Sequence, residues 1–425
     1  MTSFHVQNVQ RMRAYIEPNG SLATDHTGTL GDFWDIPFIE GSAEITLERP
    51  TIDPMTNRQD RDNHNEELLG VKRGKVKFQM NLAVADSRAG DGVAMATTAP
   101  IGRLMGLVLG GSNYGTGDTV NTSAATTTAI TVANASRWQA GGCMGWGDAN
   151  GVMHLREIAE MSGSVALLKL ALPSSPANSD PLYNCASFYP DNHDSDDVTT
   201  LQLIVEGLGN AGDGYHESWV LLGGQIEEPF TFEFPKGELP KVTFSFTFAD
   251  WDHGDEATMT PAAIGAASFA NTNEVLFADS EFRIQVNGTT TLSGSEVHAS
   301  EIAIEPQFKY VEVPSPGGTN NIAAFVMDGS HPKVQGSFKA PYQDQTWFNA
   351  RNSKTDEAIF LQIGSSESNG AILISAPTAQ ITDWQREDAN GLMGQMVSWK
   401  GRLDGDTTES TATVMGYAPF RIHFA

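Results

Sequence analysis

The feature that most constrains this chain is a strand, loop and strand pattern starting at Glu44 that returns in the second half. Glu44, Ile45, Thr46, Leu47, Glu48 alternates polar and apolar side chains, and Glu301, Ile302, Ala303, Ile304, Glu305 repeats it nearly residue for residue. Each copy breaks at a proline, Pro50 and Pro306, and passes through a long polar stretch. Each then resumes as a strand, opening with Lys75 and Val76 in the first copy and Lys333 and Val334 in the second. Strand, loop and strand in one shared register point to duplication of a structural unit. Alternation with period two places one face against a core and the other in water, so the repeated unit is built on a sheet.

Two further elements extend the repeat. Phe230 to Phe234 and Val242 to Phe248 alternate strictly around the turn residues Pro235, Lys236 and Gly237. In the second half, Ile372 to Ile381 and Met396 to Leu403 take that part, joined through Arg386 to Gly391. Pro100 to Leu109 begins with proline and spaces Ile101, Leu104, Met105 and Val108 as an amphipathic helix, and Asp344 to Arg351 is the matching helix candidate. The expected fold class is mainly β: two tandem units of sandwich or barrel type, each with a short flanking helix. The first unit covers 1–253 and carries an insertion at about 112–200, because its second strand and its hairpin lie much further apart than in the second unit. Residues 254–273, rich in Ala and Thr, read as a linker, and 274–425 as the second unit. Residues 1–40 read as mostly irregular, with the apolar cluster Phe33 to Ile39 covering one end of a core. Pro419 to Phe424 reads as the last strand.

Composition narrows function. The 26 basic and 52 acidic residues give a formal net charge of −26, which repels the nucleic-acid backbone in bulk. Cys143 and Cys185 are the only cysteines, so no disulfide framework organises the fold. No apolar stretch near the start has the form of a secretory signal and none has the length of a membrane helix, which points to a chain made in a cytoplasm. Gly207, Gly209 and Gly212 match a dinucleotide fingerprint, yet Asp213 to His216 continue as a turn where the fingerprint needs a helix. The acidic stretch Asp191 to Asp197 lacks the calcium-loop pattern: counted from Asn192, the sixth and twelfth places hold Asp197 and Leu203 instead of Gly and Glu. Histidine spacing gives no zinc site, and neither a nucleophile elbow nor a Cys and His pair is present. No enzymatic activity or cofactor is therefore expected, and the acidic stretch reads as a solvated loop, with a calcium site outside the EF-hand pattern as the other reading. Trp219, Trp251, Trp384 and Trp399 lie on or beside alternating strands and read as core residues, with sugar stacking as the other reading.

The order of these elements resembles the major tail (tail tube) proteins of long-tailed, siphovirus-type bacteriophages. The resemblance rests on Ala43 to Pro50, on Leu68, Leu69, Gly70 leading into Lys72 to Phe78, and on the helix at Pro100. In the second unit it rests on Lys333 to Asp344, Ile381 to Asp388 and Pro419 to Phe424. It implies a strand sandwich with one flanking helix, whose inner sheet joins those of neighbours into a barrel around a channel. Most such subunits carry one tube domain and form hexameric rings; two domains in one chain imply a trimeric, pseudo-sixfold ring closed by heterologous contacts. The implied partners are the chain itself in stacked rings, other tail proteins (tape measure, terminator and distal tail proteins), and DNA in transit without specific binding. The implied location is the virion tail, assembled in the host cytoplasm without membrane insertion. The insertion is expected on the outside of the tube.

Two residue sets follow as candidates. The loop 51–69 carries Asp53, Arg58, Asp60, Arg61, Asp62, Glu66 and Glu67, and together with 307–332 is a candidate for bridging stacked rings. If Phe244, Phe246 and Phe248 face the core, then Thr243, Ser245 and Thr247 face the channel, and the same logic places Ser398, Lys400 and Arg402 there. The alternative function is a carbohydrate-binding β-sandwich adhesin or decoration protein, suggested by the tryptophans and the Ser, Thr and Gly rich insertion. A glycan hydrolase working through two carboxylates is a third, remote reading, since abundant acids make no particular pair informative.

Overall fold

The computed structural model describes all residues except 1, 7–8, 10, 18–21, 26–30, 53–67, 86–91, 123–124, 192–197, 208–217, 236–237, 254–271, 275–280, 287–294, 297–298, 300, 320–321, 329–333, 343–344, 368, 390–391 and 403–413. The first half runs through β1 (Thr2–Val6), β2 (Arg11–Glu17), β3 (Trp34–Asp35), β4 (Glu44–Arg49), β5 (Thr51–Ile52), β6 (Leu68–Leu69), β7 (Arg73–Asn81) and β8 (Ala83–Ala85), then helices α1 (Val93–Thr97) and α2 (Pro100–Leu109). There follow β9 (Gly110–Asn113), β10 (Asp118–Thr119), β11 (Ala129–Thr131), β12 (Cys143–Gly147), β13 (Met153–Ser162), β14 (Val165–Leu168), β15 (Pro181–Asn184) and β16 (Ala186–Pro190). The half closes with β17 (Thr200–Glu206), β18 (Ser218–Glu233) and β19 (Lys241–His253). The second half contains β20 (Thr272–Glu274), β21 (Glu281–Val286), β22 (Ser295–Glu296), β23 (Glu301–Pro306), β24 (Tyr310–Thr319), β25 (Ile322–Met327), β26 (Val334–Pro341) and α3 (Thr346–Ser353). It ends with β27 (Asp356–Ser366), β28 (Gly370–Ala389), β29 (Leu392–Gly401), α4 (Val414–Tyr417) and β30 (Arg421–Phe424).

The fold is mainly β, as the alternation predicts. Two large sheets dominate, and their strand orders coincide: β4-β7-β19-β18-β17-β2-β3 in the first and β23-β26-β29-β28-β27-β21-β22 in the second. The register coincides too. Leu47 lies opposite Gly74 and Ile304 opposite Gly336, and those glycines lie opposite Phe248 and Trp399 on the next strand. This register corrects one detail of the sequence comparison: Glu44 pairs with Lys77 and Glu301 with Lys339, so the residue of the second unit equivalent to Val76 is Phe338, not Val334. Loops of unequal length before β7 and β26 hid the shift, and Lys333 lies outside the described residues.

Burial explains why these segments fold so. Val76, Phe78 and Met80 alternate with Lys75, Lys77 and Gln79 along β7, while Phe244, Phe246 and Phe248 lie buried on β19. Each such aromatic contributes roughly 1.5–3 kcal/mol by leaving water. Helix α2 buries Ile101, Leu104, Met105 and Val108, starts at Pro100, and stops at Gly110, whose φ of 82° suits a residue without Cβ. Helix α3, two residues later than the sequence suggests, buries only Ala350.

Several sequence expectations need correcting. Residues 1–40 are not mostly irregular: β2 forms a full ladder with β17, and Arg11 and Arg13, which look like loop residues, are held by Asp35. The Arg11 Nε to Asp35 Oδ1 distance is 2.6 Å. Most of the described part of the stretch 307–332 is the hairpin β24–β25 instead of a loop. Strand β28 continues unbroken through Arg386, which the sequence suggests as part of a connection. Thr272 and Asn273, at the end of the expected linker, pair with β8; 254–271 lie outside the described residues.

One apolar cluster runs through both halves. It joins Phe78, Phe230, Phe232 and Phe244 to Ile304, Phe308, Phe338, Trp399 and Phe420. The Phe420 ring meets Phe230, Phe232 and Phe308 at centroid distances of 6.3, 6.4 and 5.9 Å. The segment between α2 and β17 builds a six-stranded sheet, β10-β15-β12-β13-β14-β11, over its own core of Val120, Ile130, Trp138, Trp146 and Leu168. Its ends are not free of the second half: β30 is sandwiched between β28 and β16, and β16 pairs in turn with β9. Buried Arg421 on β30 forms an ion pair with buried Glu157 on β13 and donates to the carbonyls of Met415 and Gly416. Cys143 and Cys185 are buried free thiols on neighbouring strand ends, where the Cys185 amide donates to the Cys143 carbonyl at 3.2 Å.

Candidate functional site

The surface that the repeat produces twice is the outward face of the strand set β4-β7-β19-β18 and of its counterpart β23-β26-β29-β28. On the first, Glu44, Thr46 and Glu48 stand opposite Lys77, Lys75 and Arg73. Lys75 Nζ lies 2.6 Å from Glu227 Oε1, and the Gln79 amide donates to Glu233 and to the Thr243 hydroxyl, both at 3.1 Å. Contact with Glu227, outweighing partial burial, is part of what raises the Lys75 pKa. On the second, Lys339 sits between two carboxylates, 3.1 Å from Glu301 and 3.2 Å from Glu387, and both raise its pKa. Cross-strand pairs of opposite charge at these spacings are mildly stabilising and leave few bare cations.

The six residues expected on this face are placed as follows. Thr243 and Ser245 are half-buried on β19, opposite Gln79 and Lys77. Thr247 is almost covered, at 7 % exposure, because it stands between Lys75 and Gln225. Ser398 is half-buried opposite Ser337, and Lys400 is exposed opposite Gln335. Arg402 lies past the end of β29, exposed, with its guanidinium 3.0 Å from Asp356 Oδ1. The register equates Thr247 with Ser398, so these two candidate sets occupy one repeated position, whereas Arg402 has left the strand.

Asp53, Arg58, Asp60, Arg61, Asp62, Glu66 and Glu67 all lie outside the described residues. The other expected bridging stretch folds back onto the first half: β24 packs near β18, Glu312 meets Arg73 at 3.2 Å, and Tyr310 is buried. Of the glycine-rich stretch, Gly209 and Gly212 lie outside the described residues, as do Asn192 to Asp197. Among the described residues, no three His, Cys, Asp or Glu side chains converge as a metal site requires. Trp251 and Trp399 are core residues, and Trp219 packs against Trp251. Trp384 is half-buried beside Phe348 and Tyr342, with the Arg386 guanidinium 5.3 Å from the Tyr342 ring centre.

Sequence reasoning missed Lys339 with its two carboxylates. Those partners come from strands on both sides, Glu301 from β23 and Glu387 from β28 beyond β29, and no local pattern reports that. No protein-family model matches the chain, and no curated protein shows significant similarity to it.

Proposed function

We propose that this chain is a structural subunit of a phage tail tube, which closes into trimeric, pseudo-sixfold rings and stacks them into a channel for DNA. The observation that carries the reading is the doubled sheet: seven strands recur in one order, the ladders β4-β7-β19 and β23-β26-β29 share one register, and the two copies meet in a shared core. A chain with two equivalent units in contact is already one third of a six-unit ring, and closure satisfies sheet edges that would otherwise invite uncontrolled pairing. The outward face also suits passage of DNA. Among the described residues of this face, Lys75 is engaged by Glu227 and Lys339 by Glu301 and Glu387, while Lys77 stands opposite Glu44 and Lys400 opposite Gln335, and the net charge of −26 adds repulsion to phosphate. The role is structural, without catalysis, and the partners are further copies and other tail proteins in the virion.

Electron microscopy of the purified full-length protein tests this. Hollow rings or tubes with threefold or pseudo-sixfold end views are expected. Solitary particles that bind glycans through the Trp384 cluster would overturn the reading in favour of a carbohydrate-binding adhesin.

A further inference from the structure

The repeat is faithful in strand order but not in what covers its edges. In the second unit the outer edge of β23 has no ladder among the described residues, and β18 of the first unit comes within 8 Å of it. In the first unit the equivalent edge, that of β4, is covered by the N-terminal strand β1, with Phe4 opposite Leu47 and Val6 opposite Ile45. Among the described residues, strand β1 has no counterpart in the second sheet.

The long strands show the complementary asymmetry. The β17 ladder on β18 stops at Gly224, although β18 continues to Glu233. Likewise the β27 ladder on β28 stops at Gln380, although β28 continues to Ala389. Each long strand therefore carries a distal half with one edge unladdered among the described residues. Within the chain, β18 has β23 for a neighbour, and Phe230 in the distal half of β18 meets Phe420, which in turn meets Phe308 just past β23. The distal half of β28, residues 381–389, has no strand in that place among the described residues; helix α3 lies against it, Phe348 on Trp384 and Arg351 on Asp383, and β4 is the one equivalent of β23.

From this juxtaposition we infer that β1 is a removable cap: it covers, in the free chain, the β4 edge onto which the distal half of β28 from a second copy docks. The intramolecular contact of β18 with β23 is the template for that contact between copies. Leaving β1 in place protects the single chain from edge pairing, and displacing it exposes backbone donors and acceptors to the incoming strand. The inference rests on the ring-forming reading above.

The test uses the full chain. With His5→Cys and Thr46→Cys, whose backbones are direct partners, oxidation fastens β1 to β4. The oxidised variant is expected to lose assembly relative to its own reduced form, which differs from it only in the bond between β1 and β4. Hydrogen exchange on the unmodified protein gives a second readout that needs no variant. On assembly, amides of 2–6 are expected to lose protection while those of 381–389 gain it. An oxidised double variant that assembles as well as the reduced form, or protection of 2–6 that persists in the assembly, overturns the cap and leaves the ring reading intact. Absence of assembly by the unmodified protein overturns the ring reading and the cap with it.

Discussion

Gly336 lies against the indole of Trp399: a Cβ on the glycine would stand 2.4 Å from Trp399 Cζ2 and 2.4 Å from the Ala303 carbonyl oxygen. The first unit has the same pairing in looser form, where a Cβ on Gly74 would meet Leu221 Cδ2 at 3.0 Å and Phe248 Cβ at 3.4 Å. At Gly336 the glycine makes room for the indole on the adjoining strand, whereas at Gly74 the nearest side chain is that of Leu221. Gly336→Ala must move backbone as well as a ring, and is expected to cost about 2–3 kcal/mol, at the upper end for overpacking. Gly74→Ala meets a flexible leucine and is expected to cost about 1 kcal/mol. Denaturant unfolding of both variants checks the order, and equal costs would contradict it.

Arg421 and Glu157 tie the last strand to the insertion from fully buried positions. Replacing Arg421 with Met strands a carboxylate in the core, with Lys169 at 3.6 Å as its remaining cation. Loss of one partner of a buried pair costs about 3–5 kcal/mol. The double variant R421M/E157Q removes the stranded charge and is expected to recover part of that loss, which the same unfolding measurement reads.

Glu357 gives the fold a pH dependence. Burial first, and the neighbouring Asp356 charge second, push its carboxyl up to about 7 from an ordinary value of 4.5. A carboxyl whose folded pKa is raised holds its proton more tightly when folded. Its contribution is therefore fully present below 4.5 and is lost as pH rises through about 7. Glu357→Gln stays neutral throughout. Its Tm is expected to exceed that of the parent at about pH 8, above the folded pKa, with the gap closing as the pH falls below about 5. A gap that widens on acidification would contradict the assignment.

How much of this was legible in the sequence depended on distance along the chain. Val242 to Phe248 and Pro100 to Leu109 could be read because face and period are local properties, and both are observed where expected. The pairing of Val76 with its counterpart could not, since unequal loops before β7 and β26 slide one strand past the other without changing its pattern. Strand β2 escaped because Arg11 and Arg13 look solvated until Asp35 is brought beside them. For the candidate face, the alternation identified Thr243, Ser245 and Ser398, but Lys339 needed two carboxylates from separate strands. Arg402 failed the pattern because β29 ends one residue before it.

On the proposed reading, two units in one chain make a third of a closed ring, and light scattering on the full-length protein over a wide concentration range tests that most directly. A species of three times 45.7 kDa is expected, with multiples of that mass as rings stack. A single species of 45.7 kDa at every concentration would contradict it.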